Sequence, residues 1–346
     1  MGWSRWTFVA VLCGWLTIEG LASGVHVAVA EDSVTESRPK FDVAIGTWIS
    51  TGDTRWAHNA SLASSLLGNP TSKLIYKDVG TNVVDLAGTL WITPRLFGRL
   101  NVGFAGIGGG RLIDDDYLAA DRGNPSSRTF SDVKGEGLWY LNADLGRRVQ
   151  NFSNHRGWLD LFGGFQYWHQ QQTAFGLGQD ICTSAGSTID LEPSTPGTQP
   201  LCAPGASTSS GVNVITNTTN WYSIRLGGKS EYRLTRQFSV LGNVALLPLS
   251  IVENKDIHHL RVSGPNALQQ NPSISMLGWG VGANADVGLR LRLFETLFFN
   301  VGYRVWWNHA VDGTVTFHGI NGSSEYPLTQ FQSLRHGLTA GLNFTF

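Results

Sequence analysis

"SLRHGLTAGLNFTF" (residues 333–346) alternates through its second half, with Leu338, Ala340, Leu342, Phe344 and Phe346 on one parity. Arg335, Gly337, Thr339, Gly341, Asn343 and Thr345 occupy the other. Successive side chains of a strand point to opposite faces, so these residues form a strand with one apolar and one polar face. A soluble sandwich alternates too, with its polar face turned to water. The terminal Phe346, the aromatic flanks of similar segments and an export signal at the other end of the chain favour a membrane barrel, whose apolar face meets lipid.

The pattern recurs. In "LWYLNADLG", Trp139, Leu141, Ala143 and Leu145 oppose Tyr140, Asn142 and Asp144. In "WLDLFGGFQYWHQQQ", Leu159, Leu161, Phe165 and Tyr167 oppose Asp160, Gln166, Trp168 and Gln170. "NWYSIRLGGKSEYRL" sets Tyr222, Ile224, Leu226, Tyr232 and Leu234 against Ser223, Arg225, Lys229, Glu231 and Arg233. "VGYRVWWN" sets Val301, Tyr303, Val305 and Trp307 against Arg304 and Asn308. The charged residues inside these strands read as a salt network in the lumen.

Composition agrees. Gly (42), Phe (17) and Trp (13) are abundant, only 15% of residues are charged, and apolar and polar residues balance because they alternate. The net charge of −1 and the scattered arginines exclude a nucleic-acid partner. Arg5, the apolar run "WTFVAVLCGWLTI" and the small residues Ala28 and Ala30 predict a signal peptide over 1–30, leaving 31–346 as one barrel domain. The apolar run is too short for a membrane anchor. The two remaining cysteines, Cys182 and Cys202, share one Ser/Thr/Gly/Pro-rich segment, which in an exported chain predicts a disulfide closing a local loop.

Counting alternating segments predicts an all-β, ten-stranded antiparallel transmembrane barrel, with strands near 41–56, 73–92, 97–112, 134–149, 158–176, 218–234, 237–256, 274–292, 297–312 and 332–346. Short turns alternate with long polar connections near 57–72, 113–133, 177–217, 257–273 and 313–331. The short turns are expected in the periplasm, with both termini, and the long loops outside. Strands of fifteen or more residues exceed the roughly 9–11 that cross a bilayer, so the barrel should project past the outer surface.

Two charged clusters fall at the outer ends of strands. "RLIDDDYL" (111–118) places Asp114 and Asp116 on one parity at the end of the third, and "ENKDIHHL" (253–260) places Asp256 and His258 on one parity at the end of the seventh. Across the mouth of a small barrel, two such pairs can hold a water between carboxylates and an imidazole. Asp114 shares parity with the lipid-facing Leu100, Val102 and Phe104, so it faces inward only if a bulge shifts the register, a role suited to Gly106–Gly110. His259 points away from His258, and a one-residue slip would exchange them.

With these motifs in that order, the chain resembles the omptin family of outer-membrane proteases, ten-stranded barrels with a carboxylate couple in the second outer loop region and an Asp-x-His dyad near the fourth. Asp114, Asp116 and Tyr117 match the first motif, and Asp256 and His258 match the dyad. "FDVAIGTWIS", "SKLIYKDVG", "YLNADLG", "GWLDLFGGFQYWHQQQTAFG" and "GLTAGLNFTF" extend the likeness along the chain. The resemblance implies an endopeptidase at the bacterial outer membrane with its active site facing outside. It also implies protein or peptide substrates, contact with outer-membrane lipid, no cofactor beyond a requirement for lipopolysaccharide, and a monomer. Two departures stand out. Arg55 and Asn254 lie nearest the acidic positions with which the family's pocket takes a basic side chain, and His169 replaces an expected lipopolysaccharide-binding arginine.

The expected chemistry is direct attack by water. Asp256 would accept a hydrogen bond from one nitrogen of His258, whose other nitrogen would deprotonate the water. Asp114 would hold the water from the far side, and Asp116 would raise its partner's proton affinity so that the two titrate jointly. The alternative is a barrel without activity, acting as an adhesin or a small pore.

Overall fold

A computed structural model describes residues 41–346 other than 153–155, 184–187, 190–198, 201, 203–204 and 265–266. The predicted signal peptide over 1–30 lies outside the described residues. Ten long strands close a barrel: β1 (Phe41–His58), β2 (Leu67–Trp91), β3 (Leu96–Leu118), β4 (Ser127–Asn151), β5 (Gly157–Cys182), β8 (Asn213–Arg233), β9 (Phe238–His258), β10 (Ile274–Arg292), β11 (Leu297–Gly319) and β12 (Gly322–Thr345). Each pairs antiparallel with its neighbours in sequence, and β1 closes on β12, with Ile49 opposite Leu338. Two short strands, β6 (Thr188–Ile189) and β7 (Gln199–Pro200), form a separate ladder in the connection between β5 and β8. The expected bridge is present and ties Cys182, the last residue of β5, to Cys202 in that connection.

The parity of the sequence becomes inside and outside. Ile45, Ile49, Leu86, Leu100, Leu161, Leu226, Leu246 and Leu338 are exposed on the outer wall, as a lipid-facing belt requires. Trp48, Tyr140, Asp144, Asp160, Trp168 and Asn308 are buried in the lumen. Toward the short-turn end, Arg304 reaches Asp85 (2.6 Å) and Asp286 (2.5 Å), Arg99 reaches Asp144 (2.7 Å), Arg148 reaches Asp160 (2.6 Å) and Arg290 reaches Glu231 (2.8 Å). Arg233, expected in this network, is exposed, because β8 ends there. Aromatic rings lie over the charges, Trp306 packing on Trp48 (5.2 Å) and Tyr140 (4.6 Å) with the Arg304 guanidinium over Trp48 (5.2 Å). Most charged groups that fill the lumen here are paired, while Arg225 approaches Asp144 only to 3.5 Å. An unpaired charge in this setting costs several kcal/mol.

The strands are longer than expected. The connection expected over 113–133 shrinks to 119–126, and that over 313–331 to two residues between β11 and β12. The motif "IDDDYL" therefore lies within β3 and not in a loop. Beyond the lipid belt the outer wall meets water, so hydrophobic alternation fades while the closed hydrogen-bond ladder continues. Sequence parity registers the first and not the second.

Candidate active site

Register shifts on the neighbouring strands β2, β3 and β4, and a fourth on β9, prepare the site. Below the shifts, Ile107 and Phe97 of β3 face the lumen on odd positions, and above them Leu112 does so on an even one. The change falls where Gly109 pairs with Gly80 but Ile107 pairs with Thr81, which leaves one extra residue in β3 inside the glycine run. β2 carries its own extra residue at Asp78, whose positive φ (54°) is the left-handed conformation a bulge uses, and it moves Tyr76 into the lumen. β4 does the same at Gly135 and Glu136, with φ of 73° and 62°. On β9 the shift occurs at Pro248, between the inward residues Leu247 and Ser250. Proline cannot donate to a ladder, and a bulge is one of the few places a sheet tolerates it. Without the shifts, Asp114 and Asp256 would both face outward.

The site lies above the lipid belt. Outward side chains turn from Val84 and Leu86 to Lys77 and Asp78 along β2, and from Leu249 and Ile251 to Glu253 and Lys255 along β9. At this height β3 and β9 stand on opposite sides of the lumen, separated by β4, β5 and β8 one way round the ring. Asp114 and Asp116 point in from β3, and Asp256 points in from β9, fully buried. Asp115 has the opposite parity and is bound by Arg128 of β4 at 2.6 and 2.8 Å, so the central carboxylate of the triplet serves the wall.

Burial dominates the electrostatics. It pushes Asp114 well above the ordinary carboxylate range, and the charges of Asp116, Asp115 and Asp256 push the same way, while Arg261 opposes them. Asp116 rises to about 6, chiefly through burial, with a hydrogen bond from Ser72 and the Arg261 charge holding it back. Burial likewise lifts Asp256 to about 7, with the hydrogen bond from Asn217 holding it back. His258 is pushed down to about 3 by burial and by the neighbouring Arg261 and His259 charges. At neutral pH its imidazole is therefore uncharged, with a lone pair available.

The hydrogen bond expected between His258 and Asp256 is not formed. Side chains two apart on a strand stand roughly 6.6 Å from one another along it, whereas Asn217 of β8 lies directly opposite Asp256 in register. Asn217 donates to Asp256 Oδ1 instead. His258 is held through its backbone, whose N–H donates to Ser273 Oγ (2.9 Å). His259 bonds Thr216 at 3.0 Å on the other face, so the one-residue slip has not occurred.

Four buried atoms at this level have no hydrogen-bond partner in the protein: Asp114 Oδ1, Asp256 Oδ2, His258 Nε2 and the Tyr76 hydroxyl. His58 Nδ1 and Trp56 Nε1 are in the same condition. Buried polar atoms almost always find partners, and clusters of exceptions mark places built for water or a ligand. Tyr76, Trp56, His58 and Arg261 do not stand out in the sequence as site residues. Trp56 and His58 continue the inward parity of Trp48 and Thr54 along β1, so the count that found Asp256 points to them as well. Tyr76 is hidden by the bulge at Asp78. Arg261 follows β9 in a turn, where parity has no meaning, and its N–H donates to the His258 carbonyl (3.2 Å).

No family model matches the chain, and no curated protein matches it in sequence. Solved structures do. The outer membrane protease OmpT of Escherichia coli is similar at 15% identity with a TM-score of 0.68, over 88% of this chain and 96% of that one. The translocator domain of the autotransporter NalP of Neisseria meningitidis covers 90% of each chain at 9% identity, with a TM-score of 0.34. Ail of Yersinia pestis covers 89% of this chain and 99% of its own at 9% identity, with a TM-score of 0.26. The last two scores are too low to carry an argument. What the likeness to OmpT establishes is the fold, a ten-stranded antiparallel membrane barrel.

Proposed function

We propose that the chain is an omptin-like endopeptidase of the bacterial outer membrane, monomeric, with its site facing the exterior. The supporting observation is the meeting of unpartnered Asp114, Asp256 and His258 atoms on opposite walls of one lumen, above the lipid belt. The fold shared with an outer membrane protease agrees with it.

The reaction is hydrolysis of a peptide bond by water. The water oxygen bonds to the carbonyl carbon while its proton passes to neutral His258 Nε2. The negative charge of ionised Asp256 stabilises the imidazolium as it forms. Asp114, on the far wall and holding a proton, orients the water. The proton then reaches the amide nitrogen, the C–N bond breaks, and a carboxylic acid and an amine leave. The His258–Asp256 hydrogen bond missing at rest would tighten as the imidazole becomes charged, as catalytic contacts often do. Lipopolysaccharide enters as the lipid that would surround the outer belt and support activity. The ion network that fills the lumen speaks against a conducting pore.

The test is cleavage of a mixed peptide library by the purified, refolded protein in lipopolysaccharide-containing micelles. Asp114→Ala and His258→Ala should each abolish cleavage while leaving the heat-modifiable gel mobility of a folded barrel. Wild-type protein that folds and cleaves no peptide sinks the proposal.

A further inference from the structure

Tyr76 lines the same lumen and takes no part in the attack by water. It extends from β2, opposite Thr54 of β1 and Leu112 of β3, one inward position below the level of Asp114. The side chain is fully buried, its ring belongs to the hydrophobic cluster that includes Leu74, Leu112 and Trp56, and its hydroxyl has no protein partner. Both Asp256 and Asp114 act electrostatically on the phenol, from opposite walls of the lumen. The hydroxyl therefore lies within the field of both carboxylates but beyond hydrogen-bonding distance of either. An apolar seat would suit phenylalanine better, because a buried hydroxyl without a partner costs about 1–3 kcal/mol. Retaining it makes physical sense if its partner arrives with the substrate.

We infer, resting on the endopeptidase reading, that Tyr76 is a further catalytic residue whose hydroxyl donates a hydrogen bond to the substrate carbonyl oxygen as that oxygen becomes negative. Donation requires a proton, and burial together with the two carboxylates holds the phenol protonated well beyond its ordinary range. No proton is transferred in this step. The O–H bond stays intact, and the charge arriving on the carbonyl oxygen leaves again when the C–N bond breaks. His258 and Asp256 handle the proton of the water while Tyr76 handles the charge on the other oxygen. Arg261, whose charge bears on Asp114, Asp116 and His258, supplies a positive background at the same level.

Tyr76→Phe tests this directly. The variant removes one oxygen and keeps the ring in its seat, so thermal unfolding of the barrel should stay at or above the wild-type temperature. Against a cleaved peptide, kcat should fall about 100-fold or more, the usual loss for one such donor, with KM unchanged within about twofold. A phosphinate peptide, whose tetrahedral oxygen mimics the charged intermediate, should lose a similar factor in affinity while the product peptides bind as before. This binding measurement also covers a variant too slow for kinetics. A Tyr76→Phe enzyme with kcat within threefold of wild type, or with equal phosphinate affinity, overturns the inference and leaves the endopeptidase reading standing. Wild-type protein that cleaves nothing removes both.

Discussion

Replacing Asp256 by Asn should stabilise this protein while inactivating it. Burial raises the Asp256 carboxyl from its ordinary 3.8 to about 7 in the folded state. Each tenfold change in proton affinity corresponds to about 1.4 kcal/mol, so the ionised carboxylate costs the fold on the order of 4 kcal/mol at alkaline pH. Because the folded-state value lies above the unfolded one, the stability linked to this group is fully present below pH 3.8 and is lost as pH rises through about 7. Asparagine is neutral throughout and can still accept from Asn217 where Asp256 Oδ1 does. Urea unfolding in micelles, followed by tryptophan fluorescence and gel mobility, should therefore find the two proteins similar near pH 4. The variant's advantage should grow with pH, reaching at most about 4 kcal/mol by pH 8. Peptide cleavage should be absent at every pH. An advantage that stays constant between pH 4 and 8 would refute the reasoning, and so would one that reverses, as a salt-bridged carboxylate would give. Retained activity would remove Asp256 from the mechanism.

Two other outcomes can be measured on the same preparations. The kcat/KM of the wild type should climb as pH rises through about 7, since Asp256 must ionise while His258, at about 3, is neutral over the whole climb; a profile flat from pH 5.5 to 8.5 contradicts the assignment. Arg304→Ala should leave Asp85 and Asp286 unpaired in the lumen and cost about 3–5 kcal/mol, which refolding yield and urea midpoint will report; a wild-type midpoint would show that the ion network is not a structural element.

How much of this was legible in the chain follows from what sets each feature. Lipid contact imposes alternation, so the belt residues Ile49, Leu100, Leu226 and Leu338, and the ion-network strands behind them, can be counted directly. Strand ends cannot, because above the belt the ladder continues under residues such as Lys73, Asp115 and Arg128 that carry no hydrophobic period. The inward turn of Asp114 was legible as a requirement, since its parity was wrong and five residues of glycine-rich sequence lay beneath it. The matching shifts at Asp78 and Glu136 were not, because a non-glycine residue at positive φ leaves little trace in a sequence. The Asp256–His258 pairing was read from shared parity and from the resemblance to an Asp-x-His dyad, and neither says that Asn217 would stand closer across the ladder. Arg261 became visible only when the top of the lumen closed around it.

The lumen combines two opposite ways of burying charge. At the short-turn end, carboxylates and guanidinium groups meet in pairs at 2.5–2.8 Å and are overlaid by aromatic rings. At the long-loop end, Asp114, Asp256, Tyr76 and His258 each keep one buried polar atom that has no partner in the protein. Both ends belong to one barrel with one supply of side chains, so the difference does not follow from the fold. A chain selected only to stay folded would seat apolar or paired groups at Asp256, as it does at Arg304. The upper set is tolerated because the paired lower lumen and the closed ladder supply the stability it gives up, and polar groups held unsatisfied inside a rigid wall are what a site for water and a peptide bond requires.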